Sequence, residues 1–263
     1  GGPYTISFKG ENTVELTGIL IGEVWVCSGQ SNMEMHYGWG LPDIGAALPT
    51  CKNNNIRFFY IPKTTAGAPQ ENCDGEWVTC DSNTLKSFSA VGYFFGKKLN
   101  DSLQVPIGLI NANWGGTSAE VWTEPSAIAN DEALKTAAAK IEPWDWWPYK
   151  PGTTFNGMIN PITNFNIAGS IWYQGEGNTA APNTYAKLLS TMIGTWRKAW
   201  GKDFPFYYVQ IAPFNYGEKY ASAIVREQQT LALSYPKTGM AVITDLVDNI
   251  KDIHPKNKHE VGY

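Results

Sequence analysis

Short apolar runs rich in β-branched and aromatic residues recur along the chain, each breaking into small or polar residues. They are Glu23–Cys27, Ile56–Tyr60, Ile107–Asn111, Gly169–Tyr173, Phe206–Ile211 and Met240–Thr244. Runs of this length, apolar throughout, read as strands buried on both faces. Between them, Ser89–Leu99, Asn183–Trp200 and Ala221–Ser234 carry apolar residues at helical spacing, and Asp131–Lys140 is alanine-rich. Strands alternating with helices predict an α/β fold: a mostly parallel sheet in a three-layer α/β/α sandwich, with right-handed crossovers covering both faces. The beginning differs. Tyr4–Phe8 alternates, Lys9-Gly10-Glu11-Asn12 turns and Thr13–Leu16 returns, which predicts a β-hairpin. Residues 1–20 therefore read as a hairpin extension or the end of an upstream β domain, and 21–263 as the main domain. Its last stretch, Asn257–Gly262, begins a helix, so further chain is expected at both ends.

Composition narrows the class. At 263 residues with 43% hydrophobic and 17% charged content, the chain can bury a sizeable core, and disorder is excluded. Net charge is −4 without a basic cluster, which argues against nucleic acid or an anionic membrane as partner. No apolar run approaches the ~20 residues that span a bilayer. Aromatics are abundant, with 11 Trp, 13 Tyr and 11 Phe. Most belong in the core, but Pro143-Trp144-Asp145-Trp146-Trp147-Pro148-Tyr149 reads as a loop, where rings can stack on a sugar. Of the four cysteines, Cys73 and Cys80 bracket a turn and short strand that could close a small disulfide loop. Cys27 pairs with Cys51 or is a plain core thiol. The pattern leans towards an oxidising compartment, secreted or periplasmic. Without Cys-x-x-Cys spacing, no structural zinc is expected.

Polar groups cluster where the apolar runs stop. Glu23–Cys27 runs into Ser28-Gly29-Gln30-Ser31-Asn32-Met33, setting a hydroxyl on the turn after a strand, where open α/β sheets hold ligands. Ser31 is either a nucleophile awaiting a base or the N-cap of the next helix. Asn113-Trp114-Gly115-Gly116-Thr117 follows another strand; paired glycines expose N–H groups suited to an oxyanion, or simply form a strand-to-helix turn. Gln174-Gly175-Glu176-Gly177-Asn178 ends a third. There Gln174 and Asn178 offer amide donors, and Glu176 orients them or is a solvated turn carboxylate. His254, in Asp252-Ile253-His254-Pro255, is one of three histidines and a reasonable base. His36 lies near Ser31 in sequence and could line the pocket.

Jointly, Gly29-Gln30-Ser31-Asn32-Met33, Trp114-Gly115-Gly116-Thr117, Trp172-Tyr173-Gln174-Gly175-Glu176 and Asp252-Ile253-His254-Pro255 resemble the sequence blocks of the SGNH hydrolases. Within that group the chain is similar to the sialate O-acetylesterase and acetylxylan esterase branch. Phe155–Pro161 and Phe204–Gln210 fit as well. The resemblance implies Ser31 as nucleophile and His254 as base. It implies an oxyanion hole from the Ser31 and Gly116 N–H groups with the Gln174 or Asn178 side chain. Gln30, Asn32, Glu176, His36 and Trp114 would then face substrate, an acetylated xylan or O-acetyl sialic acid, with no metal or cofactor. One departure concerns the acid. Many SGNH enzymes space acid and base as Asp-x-x-His, but Lys251 stands three before His254. Asp252, on the same face if the segment is extended, then orients His254; Asp245, Asp248 and a backbone carbonyl are the alternatives. Competing readings are a lipase- or thioesterase-like enzyme on the same fold, and a non-catalytic sugar-binding module.

Overall fold

The structure, a computed structural model, describes residues 1–217 and 219–263. The N-terminal hairpin pairs β1 (Tyr4–Lys9) with β2 (Thr13–Ile19), leaving Tyr4, Ile6, Phe8, Val14 and Leu16 exposed. The apolar runs become a seven-stranded sheet of β3 (Glu23–Gly29), β4 (Asn53–Tyr60), β5 (Trp77–Cys80), β6 (Ile107–Asn113), β7 (Gly169–Tyr173), β8 (Phe206–Val209) and β9 (Thr238–Ala241). Their order is β5-β4-β6-β3-β7-β8-β9, and every pair is parallel except β4 with the edge strand β5. The chain builds outward from β3 on one side, returns, and then builds outward on the other. β3 is thereby central, at a crevice between crossovers.

Alternation along β3 divides the core in two. Val26 joins the layer of Leu188, Met192 and Trp196 from helix Tyr185–Trp200, with Val225 from helix Ala221–Leu231. Trp25 and Cys27 face the opposite layer, with Tyr93 and Phe94 of helix Ala90–Leu103 and Val261 of helix Lys258–Gly262. The three-layer α/β/α expectation holds. Trp172 of β7 meets Trp122 and Trp196 edge-on at 6.1 and 6.0 Å. Each such pair adds ~0.5–1.5 kcal/mol beyond area burial, fixing β7 firmly under the polar turn that follows it.

Element ends shift by a few residues. The expected strand Phe206–Ile211 stops at Val209, because Ile211 N–H leaves the ladder to donate to Gln229 Oε1. The expected strand Met240–Thr244 begins earlier, at Thr238, which lies opposite Phe206. Neither expected disulfide forms: all four thiols are free. Cys27 is sealed inside the sheet with its sulfur against Gly92. Strand register sets Cys80 opposite Asn53, so its thiol donates to the Cys51 carbonyl at 3.2 Å, away from Cys73.

Candidate active site

Three strand ends lie side by side. Gly29 of β3 is opposite both Asn113 of β6 and Tyr173 of β7, so the residues after each emerge on one edge of the sheet. Gly29 has φ 137, and a Cβ there would lie 2.2 Å from the Tyr173 carbonyl, so glycine is required. Helix Ser31–Glu34 starts immediately. Its N-cap is Gln30, without a side-chain cap bond, so Ser31 is not the capping serine that an isolated motif permits. Ser31 Oγ instead lies 3.0 Å from His254 Nε2, across 223 residues of chain.

The loop carrying His254 is tied down at several points. His254 N–H donates to Asp252 Oδ1 at 2.9 Å, and the Ile253 carbonyl accepts from Asn32 Nδ2 at 2.9 Å. The Trp39 ring centre lies 5.4 Å from the imidazole. Asp252 Oδ1 is 3.7 Å from Nδ1, close enough to orient and stabilise an imidazolium but beyond direct hydrogen-bond range. Among the described residues Asp252 is the carboxylate within 4 Å of the imidazole, while the exposed Asp245 and Asp248 form no ion pair with it. Burial, reinforced by Lys258, holds the His254 imidazole below its ordinary value of 6.5 against the opposing pull of Asp252.

Gly115 packs against Ser31, and the N–H groups of Ser31 and Gly116 have no protein acceptor among the described residues. Gly116 adopts φ 76, turning its amide, and the Trp147 indole lies where a Cβ would stand. Gly115 N–H donates to Glu34 Oε2 at 2.5 Å, while Glu34 Oε1 pairs with Lys63 at 2.6 Å. Glu34 thus clamps the glycine turn onto the serine helix, a role the sequence reading missed. Its only signal was an acid three residues after Ser31, on the same helical face.

Gln174 and Asn178 divide their expected roles. Gln174 is fully buried, and its Nε2 donates to Thr117 O at 3.2 Å and Asn178 Oδ1 at 2.8 Å. Both its protons are engaged, so it is a buttress and not an oxyanion donor. Asn178 Oδ1 also accepts from Ala119 N–H, and Nδ2 donates to Glu120 Oε2 at 2.8 Å, leaving one amide proton. Glu120, also missed, is a buried acid whose carboxyl is pushed up by burial. Its signal was a lone carboxylate in Ala119-Glu120-Val121-Trp122.

Most of the expected substrate-facing residues are brackets between segments. Gln30 Oε1 accepts from Gly175 and Gly177 N–H, and Asn32 Nδ2 donates to Glu176 Oε1 at 2.7 Å; all three side chains are buried. His36 caps the turn Tyr37–Trp39 through Gly38 N–H, so Trp39 and not His36 meets the imidazole. Trp114 lines an open groove of about 330 Å³ with Trp144, Trp146 and Trp147. A second cavity of about 250 Å³ begins at Gly116 and Asn178 and runs past Ser118, Lys140 and Glu142.

The family model for carbohydrate esterases of the sialic acid-specific acetylesterase type matches residues 21–262. The chain belongs to that family. Its relatives among curated proteins include the sialate O-acetylesterases of Pongo abelii, 31% identical over 299 residues, and Homo sapiens, 30% identical over 299 residues. Each alignment covers 100% of this chain and 56% of the relative, so the chain spans little more than half their length. A carbohydrate acetylesterase from Xanthomonas citri superposes with a TM-score of 0.88 at 34% identity, over 100% of this chain and 59% of that one. An Arabidopsis thaliana protein shares the fold at a TM-score of 0.57 and 18% identity, over 91% of this chain and 93% of that one. In this member of the sialic acid-specific acetylesterase family, the hairpin β1–β2 precedes the matched region.

Proposed function

We propose that this chain is a carbohydrate O-acetylesterase that removes acetyl groups from sugar hydroxyls through a serine acetyl-enzyme. The observation that carries this reading is the 3.0 Å contact between Ser31 Oγ and His254 Nε2, beside the unengaged N–H groups of Ser31 and Gly116. His254 Nε2 takes the Ser31 proton as Oγ bonds to the acetyl carbonyl carbon, and the carbonyl oxygen gains the charge. The Ser31 and Gly116 N–H groups, with the spare Asn178 proton, hold that oxyanion. His254 then gives its proton to the sugar oxygen as the carbon–oxygen bond breaks. Water repeats the sequence, releasing acetate and restoring Ser31.

Carbohydrate specificity is supported by the tryptophan groove and by polar Ser118, Lys140 and Glu142 in the adjoining cavity. The cavity also carries Ile141, Trp144 and Pro148, so the acyl chain length accepted separates this reading from a lipase or thioesterase, and a binding module has no use for the Ser31–His254 contact. Among the described residues no helix is long and apolar enough to cross a membrane. Action on acetylated glycans such as xylan or sialosides fits a secreted or periplasmic enzyme.

Acetate release from 4-nitrophenyl acetate, acetylated xylo-oligosaccharide and O-acetyl sialic acid tests the reading. Turnover of either sugar supports it and identifies the substrate, whereas activity confined to long-chain or thioester substrates overturns it. Trp146, 73% exposed and stacked on Trp144 at 6.5 Å, gives a finer check. Trp146→Ala should raise KM for the acetylated oligosaccharide roughly 10-fold, the worth of one aromatic stacking contact, and leave 4-nitrophenyl acetate unaffected. The pH profile is a second check. A base works unprotonated, and lowered proton affinity keeps His254 unprotonated further into acid. The acid limb of kcat/KM is therefore expected below 6.5, and a limb above it would contradict the site as described.

A further inference from the structure

Beneath the Ser31–His254 pair lies a buried network that the reaction itself does not use. Lys258 is completely shielded from solvent, and its Nζ donates to Asn32 Oδ1 at 2.7 Å. Asn32, also completely buried, gives its two amide protons to Glu176 Oε1 at 2.7 Å and to the Ile253 carbonyl at 2.9 Å. Asn32 follows Ser31 directly, and Ile253 directly precedes His254. A single amide therefore spans the segments that carry nucleophile and base. Lys258 is itself held from behind, where Asp43 Oδ2 accepts from the backbone N–H groups of Lys258 and His259 at 2.7 and 2.8 Å.

A buried ammonium is expensive unless something requires it, and replacing it by an apolar side chain is often neutral for stability. Its surroundings give it a task. The negative charges of Glu176, Asp43 and Asp252 favour its protonated form, and it lies 5.0 Å from the Tyr173 ring centre. His254 in turn faces Lys258, Asp252 of its own loop, Ser31 and Trp39.

We infer that Lys258 is a positioning residue for the proposed esterase reaction: through Asn32 it locks the Ser31 turn to the His254 loop. The inference rests on the reading of Ser31 and His254 as nucleophile and base. Burial lowers the Lys258 ammonium to about 7, so it still carries its proton on the acid side of neutrality, where His254 must resist protonation.

The test is steady-state hydrolysis of 4-nitrophenyl acetate against pH by wild type, Lys258→Met, Asn32→Ala and Ser31→Ala. Lys258→Met is expected to lower kcat roughly 10- to 100-fold, the effect of an ångström-scale misplacement, with KM little changed. It should also move the acid limb of kcat/KM upwards, because the opposing charge is gone. Asn32→Ala should lower kcat similarly but leave the acid limb in place, because Lys258 remains. A purely structural role would not separate the two variants in this way. Wild-type kcat in Lys258→Met, or an unmoved acid limb, overturns the inference. Full activity in Ser31→Ala overturns the underlying reading instead. If Lys258→Met does not fold, Asn32→Ala decides: a roughly 10- to 100-fold loss of kcat with KM little changed supports the bracket, and wild-type kcat overturns it.

Discussion

Ser31→Ala is expected to reduce kcat/KM for 4-nitrophenyl acetate by at least roughly 10⁴-fold, the loss seen when the nucleophile of a serine–histidine unit is removed. The side chain does no structural work that would confuse the result. Ser31 is not the cap of its helix, and among the described residues the hydrogen-bond partner of its hydroxyl is His254 Nε2. Deleting one oxygen at a site that is 8% exposed leaves the sheet, the Gly29 turn and the Asn32 bracket intact. The melting temperature should therefore stay close to that of wild type, and any activity left should come from oxyanion donors and binding alone. Wild-type hydrolysis by Ser31→Ala would sink the mechanism.

Comparable loss is expected for His254→Ala, and its decisive readout is non-additivity. Without the imidazole, the Ser31 hydroxyl has no partner among the described residues to take its proton, since Asp252 contacts the His254 backbone and Nδ1 side. A serine without its base and a base without its serine are equally idle. The double variant Ser31→Ala, His254→Ala should thus be no slower than either single variant within about 3-fold, whereas independent contributions would multiply. Asp252→Asn should cost less than either, because the 3.7 Å separation gives orientation and charge but no direct proton-holding bond. Equal loss in Asp245→Asn or Asp248→Asn would move the acid elsewhere.

Much of this site was legible along the chain because each part sits where a strand ends. Ser31, Gly116 and Asn178 each follow an apolar run, and a parallel sheet must bring consecutive strand ends to one edge. His254 was legible as one of few histidines beside an acid. The buried brackets were misread because residue type does not reveal direction. Gln30, Asn32 and Glu176 are polar residues in a polar turn, whichever way they point. Only the neighbouring turns, which offer Gly177 N–H, the Ile253 carbonyl and Lys258, draw them inward. Glu34 and Glu120 were missed for the same reason, since their partners Gly115 and Asn178 lie 81 and 58 residues away.

The sequence by itself determined the α/β class, the hairpin, and the main strands and longer helices to within a few residues, and its resemblance to a known family singled out Ser31 and His254 as partners. Those follow from local periodicity and from chemistry that few residue types can perform. Tertiary structure alone decided which amide keeps a free proton. Gln174 is consumed by Thr117 and Asn178, while Asn178 keeps a proton free. It also brought the Asp252 carboxylate to 3.7 Å from the His254 imidazole, Cys80 to Cys51 and not Cys73, and Lys258 to Asn32. Each of these depends on strand register and on contacts between distant segments. A hydrogen bond is set by distances of a few tenths of an ångström, which no pattern along one chain specifies.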